Sequence, residues 1–113
     1  MEITFATSRL AKTCNAEKEL MRTYGPDNGR RIAKRLLQLR AMATLADLMA
    51  LPQGRPHPLT EDLRGLWAID LKHPQRLIFS ITNEPLPTLG DGRIDTKKVT
   101  KLCIERIEED YHG

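Results

Sequence analysis

The side chains best equipped for chemistry fall at three places in the chain. His57 is held between two prolines in Pro56-His57-Pro58, Arg76 opens the run Arg76-Leu77-Ile78-Phe79, and Asp110-Tyr111-His112 stand just before Gly113. Histidine, with an ordinary pKa of about 6.5, gives or takes a proton near neutrality. Arginine keeps its charge and forks onto oxyanions, and tyrosine offers a hydroxyl donor. Such a set suits proton transfer on an anionic substrate. Read singly, each residue also has an ordinary explanation: a surface histidine, a strand arginine paired with a carboxylate, a fraying end. His57, His112 and Asp110 could be gathered around a metal, yet nothing in their spacing requires one.

The elements that must position these residues are read from periodicity. Glu2 to Thr7 alternates, with Ile3 and Phe5 on one side, and predicts a short strand. Ser8 is the expected cap of a helix from about Arg9, with Leu10, Cys14, Leu20 and Met21 inward, stopped by Tyr24-Gly25-Pro26. A second helix is expected from Asp27 or Asn28, carrying Ile32, Leu36, Leu39 and Ala43 on its apolar face. Its other face is cationic, with Arg30, Arg31, Lys34, Arg35 and Arg40 in a stretch free of acids. Thr44 is the expected cap of one more short helix, Leu45 to Ala50.

Residues 52–58 hold three prolines and read as irregular. The period then changes to two. Leu66, Ala68 and Asp70 face one way and Trp67, Ile69 and Leu71 the other. After a turn at His73-Pro74, Leu77, Phe79 and Ile81 share one face and Arg76, Ile78 and Ser80 the opposite one. A long irregular connection, 83–96, precedes a third strand from Val99 to Ile107. The expected fold class is α+β, an N-terminal strand and two helices packed on one face of an antiparallel sheet.

Composition narrows the class. The 113 residues, 40% hydrophobic and 29% charged, are expected to form a single domain over 1–113. Net charge is only +3, but residues 1–56 carry ten basic and five acidic side chains and residues 57–113 eight and ten. A basic half attracts phosphate or an acidic protein, although a solvated face explains it equally well. Aromatic residues at 4% argue against RNA recognition by base stacking on an exposed aromatic sheet. The absence of a membrane-length apolar run or a signal-peptide pattern predicts a cytoplasmic protein without membrane contact. Cys14 and Cys103 are expected to be buried free thiols.

Four segments carry a resemblance. Leu51-Pro52 with Arg55-Pro56-His57-Pro58-Leu59, then Asp62-Leu63-Arg64-Gly65-Leu66-Trp67-Ala68-Ile69-Asp70, then Pro74-Gln75-Arg76-Leu77-Ile78-Phe79, and finally Asp110-Tyr111-His112 resemble, in order, the HigB-like killer toxins of the RelE/ParE toxin–antitoxin superfamily. The resemblance implies a RelE/ParE-like small domain and a ribosome-dependent endoribonuclease that cuts messenger RNA. It also implies silencing by a HigA-like helix-turn-helix antitoxin, through which alone operator DNA is bound. No cofactor is implied. By the same resemblance, the catalytic set is His57, Arg76, Asp110, Tyr111 and His112; the basic residues Arg30, Arg31, Lys34, Arg35 and Arg64 are expected to grip RNA phosphates.

RNA cleavage without a metal needs a base for the 2′-hydroxyl, a cation for the phosphorane and an acid for the departing 5′-oxygen. On chemical grounds His57 and His112 are expected to share the proton transfers in either order, Arg76 to supply the charge, Tyr111 to orient the phosphate or donate a hydrogen bond to it, and Asp110 to fix a histidine tautomer. Two departures stand out. Relatives often read Leu-Lys-Gly-Asp where this chain has Leu59-Thr60-Glu61-Asp62, and compact members lack the 83–96 connection. Two other readings remain open: a ParE-like gyrase poison, and an inactive homologue that keeps only its antitoxin interface.

Overall fold

A computed structural model of the chain describes residues 1–72 and 74–108. Strand β1 (Glu2–Phe5) alternates exposed and half-buried positions, as the sequence pattern predicts. Thr7, rather than Ser8, caps helix α1 (Ser8–Cys14), its hydroxyl accepting from the Leu10 amide at 3.0 Å. The helix expected to continue to Tyr24 is broken at Asn15 and Ala16, and α2 (Glu17–Tyr24) starts afresh. Cys14 and Leu20 are both buried. On one continuous helix they would point roughly 120° apart, so the break is what turns both toward the core.

Gly25, at φ 90°, ends α2, and Pro26 opens α3 (Pro26–Ala41). This is slightly earlier than Asp27, because a first-turn proline loses no hydrogen bond. At Gly29 the two helices nearly touch: a Cβ there would lie 2.7 Å from the Met21 backbone. Ile32, Leu36 and Leu39 are buried, while Ala43 lies past the end of the helix and is exposed. Thr44 caps α4 (Leu45–Met49) by accepting from the Asp47 amide at 3.2 Å.

The remaining strands are β2 (His57–Pro58), β3 (Leu66–Asp70), β4 (Arg76–Ile81) and β5 (Lys101–Glu108), in the sheet order β1-β5-β4-β3-β2. β2 through β5 pair antiparallel, but β1 runs parallel to β5, with Ile3 opposite Leu102 and Phe5 opposite Ile104. The sheet is therefore mixed and not purely antiparallel. The parallel register sets the apolar residues of β1 beside those of β5 on one face. The second correction concerns the proline-rich segment: His57 and Pro58 pair with Ala68 and Trp67. β2 is an edge strand, where proline is tolerated because its missing donor need not serve a second neighbour.

One face of the sheet carries Trp67, Ile69, Leu77, Phe79, Leu102 and Ile104 into a core shared with Leu20, Ile32, Leu36, Leu39, Leu45 and Leu48 of the helices. The Trp67 and Phe79 rings stack with centroids 6.1 Å apart. The 83–96 connection is ordered internally: Thr88 bridges Ile94, and the Leu89 amide donates to the Arg93 carbonyl at 2.7 Å. Cys14 and Cys103 are free thiols, the first buried and the second only half-buried. None of the described helices is long and apolar enough to cross a membrane.

Candidate functional site

His57 owes its setting to a strained corner just before it. Gly54 and Arg55 both have positive φ, 89° and 43°, a conformation costly for arginine. Asp70 holds both residues in place. Its amide donates to the Gly54 carbonyl at 2.6 Å, and its carboxylate takes Arg55 Nε at 2.9 Å and the terminal guanidinium nitrogen at 2.7 Å. So fixed, the Arg55 carbonyl lies 2.7 Å from His57 Nδ1. A carbonyl can only accept, so Nδ1 carries the proton and the lone pair of the neutral ring is on Nε2. The histidine tautomer is thus set by a backbone carbonyl.

Arg76 lies opposite Asp70 on β3 and Glu108 on β5, on the sheet face away from the helices. His57 shares that face, since it pairs with Ala68 and Ala68 with Ile78, two residues along from Arg76. Two strand spacings and a two-residue offset put the Cα atoms of His57 and Arg76 about 12 Å apart.

Arg76 is not presented bare. Its Nε donates to Glu108 Oε2 at 2.6 Å, and Arg106 Nε donates to the other oxygen, Oε1, at 3.0 Å. The Arg76 and Glu108 side chains retain 8% and 17% of their exposure. Burial alone would push the Glu108 carboxyl up, but the two guanidinium groups outweigh it and hold its pKa below the ordinary carboxylate value. Leu59, Thr60, Glu61, Asp62 and Leu63 close a groove of about 520 Å³ over Arg76, Arg106 and Glu108. Its charge is mixed, because Glu61 and Asp62 add carboxylates to its wall.

Asp110, Tyr111 and His112 lie outside the described residues. The four arginines and one lysine assigned to RNA do not line one cleft. Arg31, Lys34 and Arg35 line a common cleft. Arg30 instead approaches Asp27 at 3.7 Å, and Arg64 borders an apolar groove beside Trp67, Leu86 and Leu89. Sequence reasoning missed Glu108 and Arg106, although their two-residue spacing at the end of an alternating strand places them on one face. Among the described residues, no three histidine, cysteine, aspartate or glutamate side chains could hold a metal ion.

No protein-family model matches the chain. No curated protein matches it either. Among solved structures it is similar to a YoeB/ParE toxin from Agrobacterium tumefaciens, with a TM-score of 0.57 and 13% identity over 100% of both chains. At that identity the likeness is one of fold. It supports the RelE/ParE-like small-domain fold and does not single out the HigB branch.

Proposed function

We propose that this toxin-like fold serves as the toxin of a type II toxin–antitoxin pair, an endoribonuclease that cuts messenger RNA on the ribosome. The observation that carries this reading is His57, with its proton held on Nδ1 by the Arg55 carbonyl, on the same sheet face as Arg76. The 2′-hydroxyl attacks the adjacent phosphorus, and His57 and His112 divide the two proton transfers. One removes the 2′-hydroxyl proton and the other protonates the 5′-oxygen as its bond to phosphorus breaks, leaving a cyclic phosphate. Arg76 balances the charge of the phosphorane. Asp110 and Tyr111 orient the histidine and the phosphate. The ribosome supplies the positioning of its own messenger. A HigA-like antitoxin neutralises the toxin in the cytoplasm and brings the pair to operator DNA.

A ParE-like gyrase inhibitor is the second reading. Glu61, Asp62 and Glu108 favour it, since carboxylates beside Arg76 oppose the approach of a phosphate. Primer extension on messenger bound to purified ribosomes separates the two. The nuclease gives translation-dependent, codon-phased cuts. A gyrase inhibitor gives none and blocks DNA supercoiling by purified gyrase.

A further inference from the structure

A second cleft, of about 380 Å³, is lined by Arg31, Lys34, Arg35 and Gln38 of α3 together with Gln53, Leu71 and Lys72. Four of these seven side chains are cationic and none is acidic. Arg31, Lys34 and Arg35 are three and four residues apart and so share one helix face. Lys72, just after β3, adds a charge from the sheet side.

Arg35 is the centre of this arrangement. Its Nη1 donates to Gln38 Oε1 at 2.6 Å, while its Nε is buried with no hydrogen-bond partner among the described residues. A glycine backs it: a Cβ on Gly54 would come within 3.2 Å of the guanidinium carbon. The guanidinium is therefore fixed in place and incompletely satisfied, an arrangement that costs free energy unless an acceptor arrives. Burial lowers the Arg35 pKa against the opposing charge of Asp70. Exposed lysines alone would not create this need.

We infer that this cleft binds a phosphate group, with the anchored Arg35 guanidinium as its central charge and Arg31, Lys34 and Lys72 as flanking charges. A guanidinium and clustered cations fit a tetrahedral oxyanion better than a carboxylate-bearing apolar peptide, given that Leu71 is the sole apolar side chain among the described residues of the lining. The phosphate comes from the RNA backbone or from a free polyphosphate. The RNA source rests on the function proposed above, whereas recognition of the group itself does not.

The test is calorimetric titration of the full chain with inorganic pyrophosphate and, separately, with a uridine oligonucleotide. The variants are Lys34→Glu with Lys72→Glu, two exposed positions, and Arg35→Lys; Lys97→Glu with Lys98→Glu, outside the cleft, is the charge control. Binding of either probe that weakens about tenfold or more in the cleft double variant, with the control close to the unaltered chain, supports the site. Pyrophosphate binding identifies a free-phosphate source, and binding of the oligonucleotide alone identifies the backbone. No binding of either probe, or equal weakening by the control, overturns the site. Should Arg35→Lys fail to fold, the surface double variant still decides. Pyrophosphate binding by an unaltered chain that cuts no messenger counts against the nuclease and not against the cleft.

Discussion

Arg76 Nε and Glu108 Oε2 meet at 2.6 Å across β4 and β5, and the same carboxylate is shared with Arg106. The proposed electrostatic centre of the reaction is thus also a structural ion pair. Replacing Glu108 with alanine is expected to destabilise the chain by about 3 kcal/mol, because it removes a close carboxylate from a nearly buried guanidinium. Urea unfolding at neutral pH measures this.

The pH dependence of the same pair has a definite sign. The folded-state pKa of Glu108 is below its ordinary value, so its contribution is fully present above about pH 4.3 and is lost as pH falls through the lowered value. The Glu108→Gln variant, which cannot ionise, is expected to lose less stability than the unaltered chain between neutral pH and pH about 3. Unfolding curves at the two pH values provide the comparison.

Gly29 sets how closely α2 and α3 approach. In Gly29→Ala the new Cβ meets the Met21 backbone at 2.7 Å, and backbone cannot rotate aside. A loss of about 1–3 kcal/mol is expected, visible as a lower Tm, despite alanine's better helix propensity.

Gly54 is expected to resist substitution for two reasons. Its φ of 89° disfavours any side chain, and a Cβ would lie 2.7 Å from Ile69 Cγ1. Gly54→Ala should cost at least about 1 kcal/mol in thermal unfolding.

Burial pushes the Cys14 thiol up to about 11, outweighing the nearby charge of Arg40. Its thiolate is therefore scarce at neutral pH, and alkylation by iodoacetamide is expected to be slow while the chain stays folded and fast in denaturant.

Local alternation was enough to read the strand faces: Leu77 and Phe79 are in the core, and Arg76 lies on the opposite face. Periodicity likewise placed Ile32, Leu36 and Leu39 inside. What depends on long-range pairing was not legible. The parallel partnership of β1 with β5 and the ion pair between Arg76 and Glu108 join segments far apart in sequence, and nothing local encodes their register. The break at Asn15 and Ala16 escaped for a similar reason, since it answers to where Cys14 and Leu20 must pack. In the candidate site, His57 was recognisable from its residue type and proline frame. The carbonyl that fixes its tautomer depends on the Arg55–Asp70 pair, which closes only when β3 folds back beside the loop.

Cleavage of ribosome-bound messenger by the unaltered chain and by His57→Ala tests the central claim most directly. His57 is half-buried on an edge strand, so the variant should keep its fold, which circular dichroism verifies. The expected result is codon-phased cutting by the unaltered chain and a rate lower by about a hundredfold or more in the variant. Undiminished cutting by His57→Ala, or no cutting by the unaltered chain, would contradict the account.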